Sequence, residues 1–212
     1  MKELPELSAM DLGALLCSRV CHDIISPVGA ISNGLELLDE GSDEETREIA
    51  MDLIRSSATN ASARLQFARI AFGAAGSAGS DIDTGDAENV ARGYFANEKK
   101  TDLEWHGERA YLPKNKVKLL LNLLLVAMSA IPRGGQVISR IEDPMGAVKF
   151  VVRASGKAAR LPPLFMALLG GAHDEDLDAH AVQPFYTLKL AEAAGMEVTA
   201  ILEGEDIVFN AG

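Results

Sequence analysis

The stretch LCSRVCHDIISPVGAISNGLELL, residues 16–38, decides the fold of the first part of the chain. On a helical wheel at about 100° per residue, an apolar stripe gathers within about 80° of Val20. The stripe consists of Leu12, Leu16, Val20, Ile24, Pro27, Ile31, Leu35 and Leu38. His22 lies roughly opposite Val20. The pattern therefore predicts an amphipathic helix that carries His22 on its outer face, away from the core.

Two capping patterns predict that this helix belongs to a hairpin. Residues 8–11 (Ser-Ala-Met-Asp) and 42–45 (Ser-Asp-Glu-Glu) resemble capping boxes, in which a hydroxyl accepts from first-turn amides. They predict helices over residues 10–39 and 43–72, joined by a turn at 40–42. Helices of this length extend about 45 Å and expose one apolar side if they stand alone. A second copy would cover that side, so the sequence predicts a homodimer with a four-helix bundle.

The pattern changes after a glycine-rich linker at residues 73–83. Helices are predicted over residues 86–99, 113–131 and 177–194, and strands over 136–141, 147–153, 196–202 and 206–210, with a further strand that ends at Trp105 and His106. This mixture predicts an α+β fold, with a sheet that carries helices on one face. The expected organisation is a helical-hairpin domain at 1–75, a linker at 76–85 and a second domain at 86–212.

Composition and charge exclude several classes of protein. The formal net charge of −11 disfavours binding to duplex nucleic acid, which selects Lys- and Arg-rich surfaces. The N-terminus lacks a signal-peptide pattern, and the apolar run at 117–131 is broken by polar residues and too short to span a bilayer. Cys17 and Cys21 lie one helical turn apart, which does not suit a disulfide framework. We therefore expect a cytoplasmic protein with no nucleic-acid or membrane partner.

The residues around His22 could make its imidazole both reactive and accessible to another protein. Asp23 is the nearest acid able to hold Nδ1–H, which would leave Nε2 as a nucleophile. Pro27 removes a donor to the Asp23 carbonyl and is expected to bend the helix. The neighbours of His22 on this face are small, apart from two apolar residues, as a protein-docking surface requires: Leu15, Ser18, Ile25, Ser26, Gly29 and Asn33. A solvated surface histidine is equally compatible with the spacing, whereas a metal site with Cys17 and Cys21 is disfavoured because the cysteines face the core flank.

Residues 19–27 resemble the H-box of two-component histidine kinases, which reads His, an acid, two residues and Ser/Thr-Pro. The longer runs at 16–23 and 33–38 are similar to the ChpT family of alphaproteobacterial histidine phosphotransferases. The resemblance covers nearly the whole chain, although the second domain matches the kinase ATP-binding domain in layout more than in motif. It implies a dimeric helical bundle followed by a GHKL-type (Bergerat) ATPase-like domain.

The chain departs from the kinase pattern at three places that hold nucleotide. The N-box is Asn-Leu-Leu-Leu-Val-Ala at 122–127, so Val126 stands where an asparagine holds magnesium, and valine offers no oxygen. The G1 box Asp-x-Gly-x-Gly is Ala-Ser-Gly-Lys-Ala at 154–158, without the acid that accepts from adenine. Residues 180–185 contain no glycine to form a phosphate-binding lid. Together these losses predict no ATP binding and no autophosphorylation from ATP.

The resemblance implies that His22 relays a phosphoryl group. The donor would be the receiver-domain aspartate of a CckA-type hybrid histidine kinase, and the acceptors CtrA- and CpdR-type response regulators in cell-cycle signalling. The receiver would supply Mg²⁺, so no cofactor of the chain's own is expected. Asp23 would orient or deprotonate the imidazole, while Arg19 or Ser26 would contact phosphoryl oxygens. Gly29 would allow close approach of the receiver.

Two other functions remain open at this stage. A divergent ATP-dependent histidine kinase or GHKL ATPase would explain Asn122 and Gly156 as relics of a nucleotide site. A dimerisation module without chemistry would leave the His-Asp-x-x-Ser-Pro order unexplained. His173 and His180 lie in an acidic segment, where a solvated loop is favoured over a metal site.

Overall fold

The computed structural model describes residues 4–40, 43–73, 81–171, 177–178 and 181–212. Two long helices come first, α1 (Ala9–Asp39) and α2 (Glu44–Ala71), and they pack against each other as the expected hairpin. The Ser8 hydroxyl accepts from the Asp11 amide at 3.1 Å, which confirms the first cap. The second cap is Asp43, whose carboxylate accepts from the Thr46 amide at 2.8 Å. Ser42, the predicted cap, lies outside the described residues.

The apolar stripe of α1 is only partly covered in the single chain. Pro27 and Gly34 are the buried residues of this helix. Most other stripe residues are half-buried, because α2 covers only one side of the stripe. The prediction that Leu35 belongs to the core is wrong for the single chain, since Leu35 is 50% exposed.

The second half of the chain alternates short strands and helices. Its elements are β1 (Asp81–Asp83), α3 (Thr84–Phe95), β2 (Thr101–His106), β3 (Tyr111–Pro113), α4 (Lys114–Ala130), β4 (Gly135–Glu142), β5 (Lys149–Ser155), α5 (Pro163–Leu169), α6 (Val182–Ala194), β6 (Val198–Glu203) and β7 (Asp206–Ala211). Five strands form one sheet in the order β2-β4-β5-β7-β6, in which only the β2–β4 pair is parallel. The α+β class is therefore confirmed.

The sheet buries one face against the helices. Along β4 and β5 every second residue is buried, as the two-residue period of a strand requires: Val137, Ser139 and Ile141, then Phe150, Val152 and Ala154. Helix α4 packs on this face and also contacts α6, α3 and α2. It therefore forms the centre of the core and joins the hairpin to the sheet.

Several boundaries and short elements differ from the sequence predictions. The predicted linker at 76–85 extends too far, because β1 pairs with β3 and Thr84 already begins α3; residues 76–80 lie outside the described part of the chain. Helix α6 begins at Val182, not at 177, whereas its predicted end is confirmed by Gly195 at φ 64°. Strands β1 and β3 and helix α5 were not predicted, since segments this short carry too few residues to show a period.

By length and composition alone, α1 also qualifies as a candidate membrane span, the one such helix in the described ranges. This is weak evidence, because the buried core helix of a soluble protein and a signal sequence near the N-terminus pass the same test. The apolar run at 117–131 that the sequence singled out coincides with α4, which is buried in the core.

Candidate active site

His22 projects from the outer face of α1. Its side chain is 69% exposed, in agreement with the wheel. Ile25 beside it is 72% exposed, which is unusual for an isoleucine. The other exposed members of the face are Ser18, Ser26, Gly29 and Asn33, whereas Leu15 is half-buried. The structure therefore brings the residues of the proposed docking face together around the imidazole.

The geometry of Asp23 differs from the expectation. Its Oδ1 lies 3.6 Å from Nδ1 of His22, which is within ion-pair range but longer than a hydrogen bond. The main partner of the carboxylate is Arg19, whose Nε donates to Oδ1 at 3.2 Å and to Oδ2 at 3.0 Å. The predicted Asp23–His22 hydrogen bond is therefore not formed at this distance; the same Oδ1 accepts from Nε of Arg19 while it lies 3.6 Å from Nδ1.

Asp23 faces the junction between the two halves of the chain. The small cavity beside it is lined by residues of four helices: Val20 and Ile24 of α1, Arg64, Phe67, Ala68 and Phe72 around α2, Tyr94 of α3 and Leu125 of α4. The carboxylate is 21% exposed, so its surroundings are more apolar than those of the imidazole. The acid and the histidine are neighbours in sequence but occupy different environments.

Arg64 forms the polar part of this junction. Its Nη2 donates to Glu98 at 2.6 Å, Nη1 to the Tyr94 hydroxyl at 3.3 Å, and Nε to Asn60 at 2.8 Å. The guanidinium also lies 5.1 Å from the centre of the Tyr94 ring. Burial raises the pKa of the Tyr94 phenol above its ordinary value. Sequence reasoning missed this cluster because its members are separated by about thirty residues and match no motif.

The residues that suggested a relic nucleotide site have structural roles. Asn122 is fully buried, and its Nδ2 donates to the carbonyls of Lys118 at 2.9 Å and Ala71 at 3.1 Å. Its own carbonyl accepts from Nε2 of the buried Gln183 at 3.0 Å. Asn122 therefore ties α4 to the end of α2 and to the first turn of α6. Val126, at the magnesium position of the kinase motif, is 1% exposed and lies in the core.

The altered G1 box can also be explained by packing. A Cβ at Gly156 would lie 2.4 Å from the carbonyl oxygen of Gly134, so glycine is needed there whether or not nucleotide binds. Ala158 has φ 65° and thus keeps the left-handed conformation that glycine favours. Both glycine positions of the motif therefore lie where glycine is favoured, although the acid of the motif is absent.

Other candidate ligands do not form a metal site in the part of the chain that the structure describes. No group of three or more His, Cys, Asp or Glu residues has suitable geometry there. Cys17 and Cys21 are free thiols and both are exposed, so they do not face the core of the single chain as expected. His106 ends β2 on the surface and lies 3.3 Å from Glu104. His173 and His180 lie outside the described residues.

Comparison with known proteins identifies the family. The chain is 63% identical over 206 residues, 97% of each chain, to the protein phosphotransferase ChpT of Brucella abortus (strain 2308). A solved bacterial phosphotransferase matches with a TM-score of 0.92 and 59% identity, over 99% of this chain and 100% of that chain. The family described as histidine phosphotransferase C-terminal domain matches residues 84–206. The chain therefore belongs to the histidine phosphotransferase family.

Proposed function

We propose that this chain is a phosphorelay histidine phosphotransferase that carries the phosphoryl group on Nε2 of His22. The exposed imidazole carries the proposal: it stands on a helix face with small neighbours and the apolar Ile25, so a folded partner has room to bring a phosphoryl group to it. The similarity to the Brucella protein phosphotransferase supports the same activity.

The transfer is a displacement at phosphorus. Nε2 of neutral His22 attacks the aspartyl phosphate of a receiver domain, the N–P bond forms, and the aspartate leaves as a carboxylate. A second receiver aspartate then attacks the phosphohistidine, and the electron pair of the N–P bond returns to Nε2. The transition state is loose, so the chain contributes mainly positioning and stabilisation of charge. Asp23 orients the imidazole through Nδ1, and the receiver supplies Mg²⁺.

The proposed partners follow from the family resemblance. The donor is the receiver domain of a CckA-type hybrid histidine kinase, and the acceptors are CtrA- and CpdR-type response regulators in cell-cycle signalling. Leu15, Ser18, Ile25, Ser26, Gly29 and Asn33 form the surface that receives them. Open space around Gly29, where an added Cβ would meet nothing within 4 Å, leaves room for close approach.

A second copy of the chain completes the bundle. Cys21, Val28 and Leu35 of α1 are spaced by seven residues and all are exposed. Met51, Ala58 and Leu65 of α2 show the same spacing and exposure. Heptad-spaced side chains form one seam along a helix, and apolar seams pack against other helices. The homodimer buries both seams. This burial also explains why α1 is apolar without spanning a membrane. We place the protein in the cytoplasm.

We propose that the chain does not use ATP. The support comes from Val126 in the core, from the lost acid at Ala154 and from Asn122, whose side chain is committed to α2, α4 and α6. No cofactor of the chain's own is required, because the receiver brings the metal.

The test is transfer from a phosphorylated receiver domain to the purified dimer. We expect acid-labile label on wild-type protein, none on His22→Ala and full label on His106→Ala, which removes another exposed histidine. Label that persists on His22→Ala would refute His22 as the carrier. A parallel incubation with Mg²⁺ and labelled ATP should give no label, and labelling of His22 there would support an autokinase instead.

A further inference from the structure

Arg19 engages Asp23 with only one edge of its guanidinium. Nε makes both contacts to the carboxylate, and the pair spans one helical turn of α1. The side chains of Arg19 and Asp23 are 24% and 21% exposed, so water competes for them less than for a fully exposed pair. Arg19 thus holds the carboxylate on the flank of α1 that borders His22.

A second cation lies near the carboxylate, beside the cavity that Asp23 also lines. Arg64 lines the same small cavity as Asp23, and an unopposed guanidinium there would draw the carboxylate toward the junction. Arg64 is opposed, however, by Glu98, a residue of the second half of the chain, at 2.6 Å. The Tyr94 hydroxyl and Asn60 occupy its remaining edges.

We propose that Arg19 is a positioning residue that keeps the Asp23 carboxylate on the Nδ1 side of His22, while Glu98 holds Arg64 away from that carboxylate. The carboxylate is already 3.6 Å from Nδ1, so a small side-chain movement completes the hydrogen bond during transfer. This inference deepens the proposed function and depends on it for its effect on rate. It also gives the degenerate ATPase-like domain a role, since Glu98 and Tyr94 stabilise the arrangement without any nucleotide.

The first experiment reads the histidine directly and needs no phosphoryl donor. The ¹⁵N chemical shifts of the His22 ring, measured near pH 8 where an ordinary imidazole is neutral, report which nitrogen carries the proton. We expect the Nδ1–H tautomer to predominate in the wild type and to decrease in Arg19→Gln. Glu98→Gln should decrease it less, because Tyr94 and Asn60 still hold Arg64. Arg19→Lys should restore the Nδ1–H tautomer in part, since an ammonium keeps the charge but lacks the planar, forked donors of the guanidinium.

The second experiment measures the rate of transfer from a phosphorylated receiver. Arg19→Gln should slow transfer about 10- to 100-fold, the range expected when an acid–base group is misplaced. Arg55→Gln is the matched control: it removes the arginine of another Arg–Asp pair, the exposed Arg55–Asp52 pair of α2 at 3.3 Å, and should leave rate and tautomer unchanged. Circular dichroism should show the same helix content in all variants.

The outcomes separate this inference from the proposed function. A normal tautomer in Arg19→Gln overturns the positioning role, even if the rate falls, because Arg19 would then act on the partner directly. A changed tautomer with a normal rate overturns its importance for transfer. Failure of wild-type His22 to accept label refutes the proposed function, while the ring shifts still report whether Arg19 positions Asp23.

Discussion

Helices α1 and α4 are both strongly apolar, yet α4 is mostly buried whereas α1 is mostly not. In α4, 12 of 17 residues are buried, because the sheet, α6 and α3 surround it. In α1, only Pro27 and Gly34 of 31 residues are buried, because α2 covers one side of it. Apolar residues in α4 thus stabilise the single chain. Those in α1 remain available to other molecules, which we propose are a second copy and a receiver domain.

The sharpest test of this difference compares two leucines. Leu124→Ala in α4 removes a fully buried side chain and should lower the free energy of unfolding by about 2–5 kcal/mol. Leu35→Ala in α1 removes a half-exposed side chain and should cost the single chain less than about 1 kcal/mol. Urea unfolding followed by circular dichroism measures both. Equal losses at low protein concentration would contradict the contrast.

Two glycines test the contrast within α1 itself. A methyl group at Gly34 would lie 2.6 Å from Cγ1 of Ile54 and 3.2 Å from the Ala50 carbonyl oxygen. Gly34→Ala should therefore destabilise the hairpin by about 1–3 kcal/mol. Gly29 faces open space, and Gly29→Ala should stabilise the helix by up to about 1 kcal/mol through helix propensity. Thermal melts distinguish the two, and a stabilised Gly34→Ala would show that α1 and α2 are not closely packed.

The uncovered seam of α1 can be tested by assembly. Leu35→Arg places a charge where the second copy is expected, and should weaken dimerisation at least about tenfold, or about 1.4 kcal/mol. Met10→Arg is the control, because it also places arginine at an exposed apolar position of α1, outside the Cys21, Val28 and Leu35 seam. Sedimentation equilibrium measures both. Dimerisation unaffected by Leu35→Arg would remove this seam from the interface.

The smallest effect concerns an ion pair of the second domain. Nε of Arg109 donates to Asp83 at 2.8 Å, as does the Gly85 amide, and these bonds lower the pKa of the Asp83 carboxyl. A lowered pKa stabilises the fold above the ordinary value near pH 4, and this contribution is lost as pH falls through the folded-state pKa. Asp83→Asn should therefore melt lower than wild type at pH 7, with a difference that shrinks below about pH 4. Asp52→Asn, in the exposed pair of α2, should show little difference at either pH.

Local sequence patterns determined much of this protein. The 3.6-residue period placed His22 on the exposed face of α1 and Val20 on the half-buried face, and Ser8 and Gly195 marked helix ends. Strands β4 and β5 were also predicted, and every second residue in each of them is buried in the structure. These features depend on neighbours within one or two turns, so the sequence alone could reveal them.

The tertiary structure decided what surrounds the acid and the former nucleotide motif. Asp23 lies beside a junction that includes Arg64, Tyr94 and Glu98, and Asn122 is bound to α2 and α6. The pairing of β1 with β3 likewise joins residues about thirty positions apart. Such contacts arise when whole helices and strands pack together, and no local period encodes them. The sequence by itself determined where the histidine points, and the packing of the two halves decided what lies beside its acid.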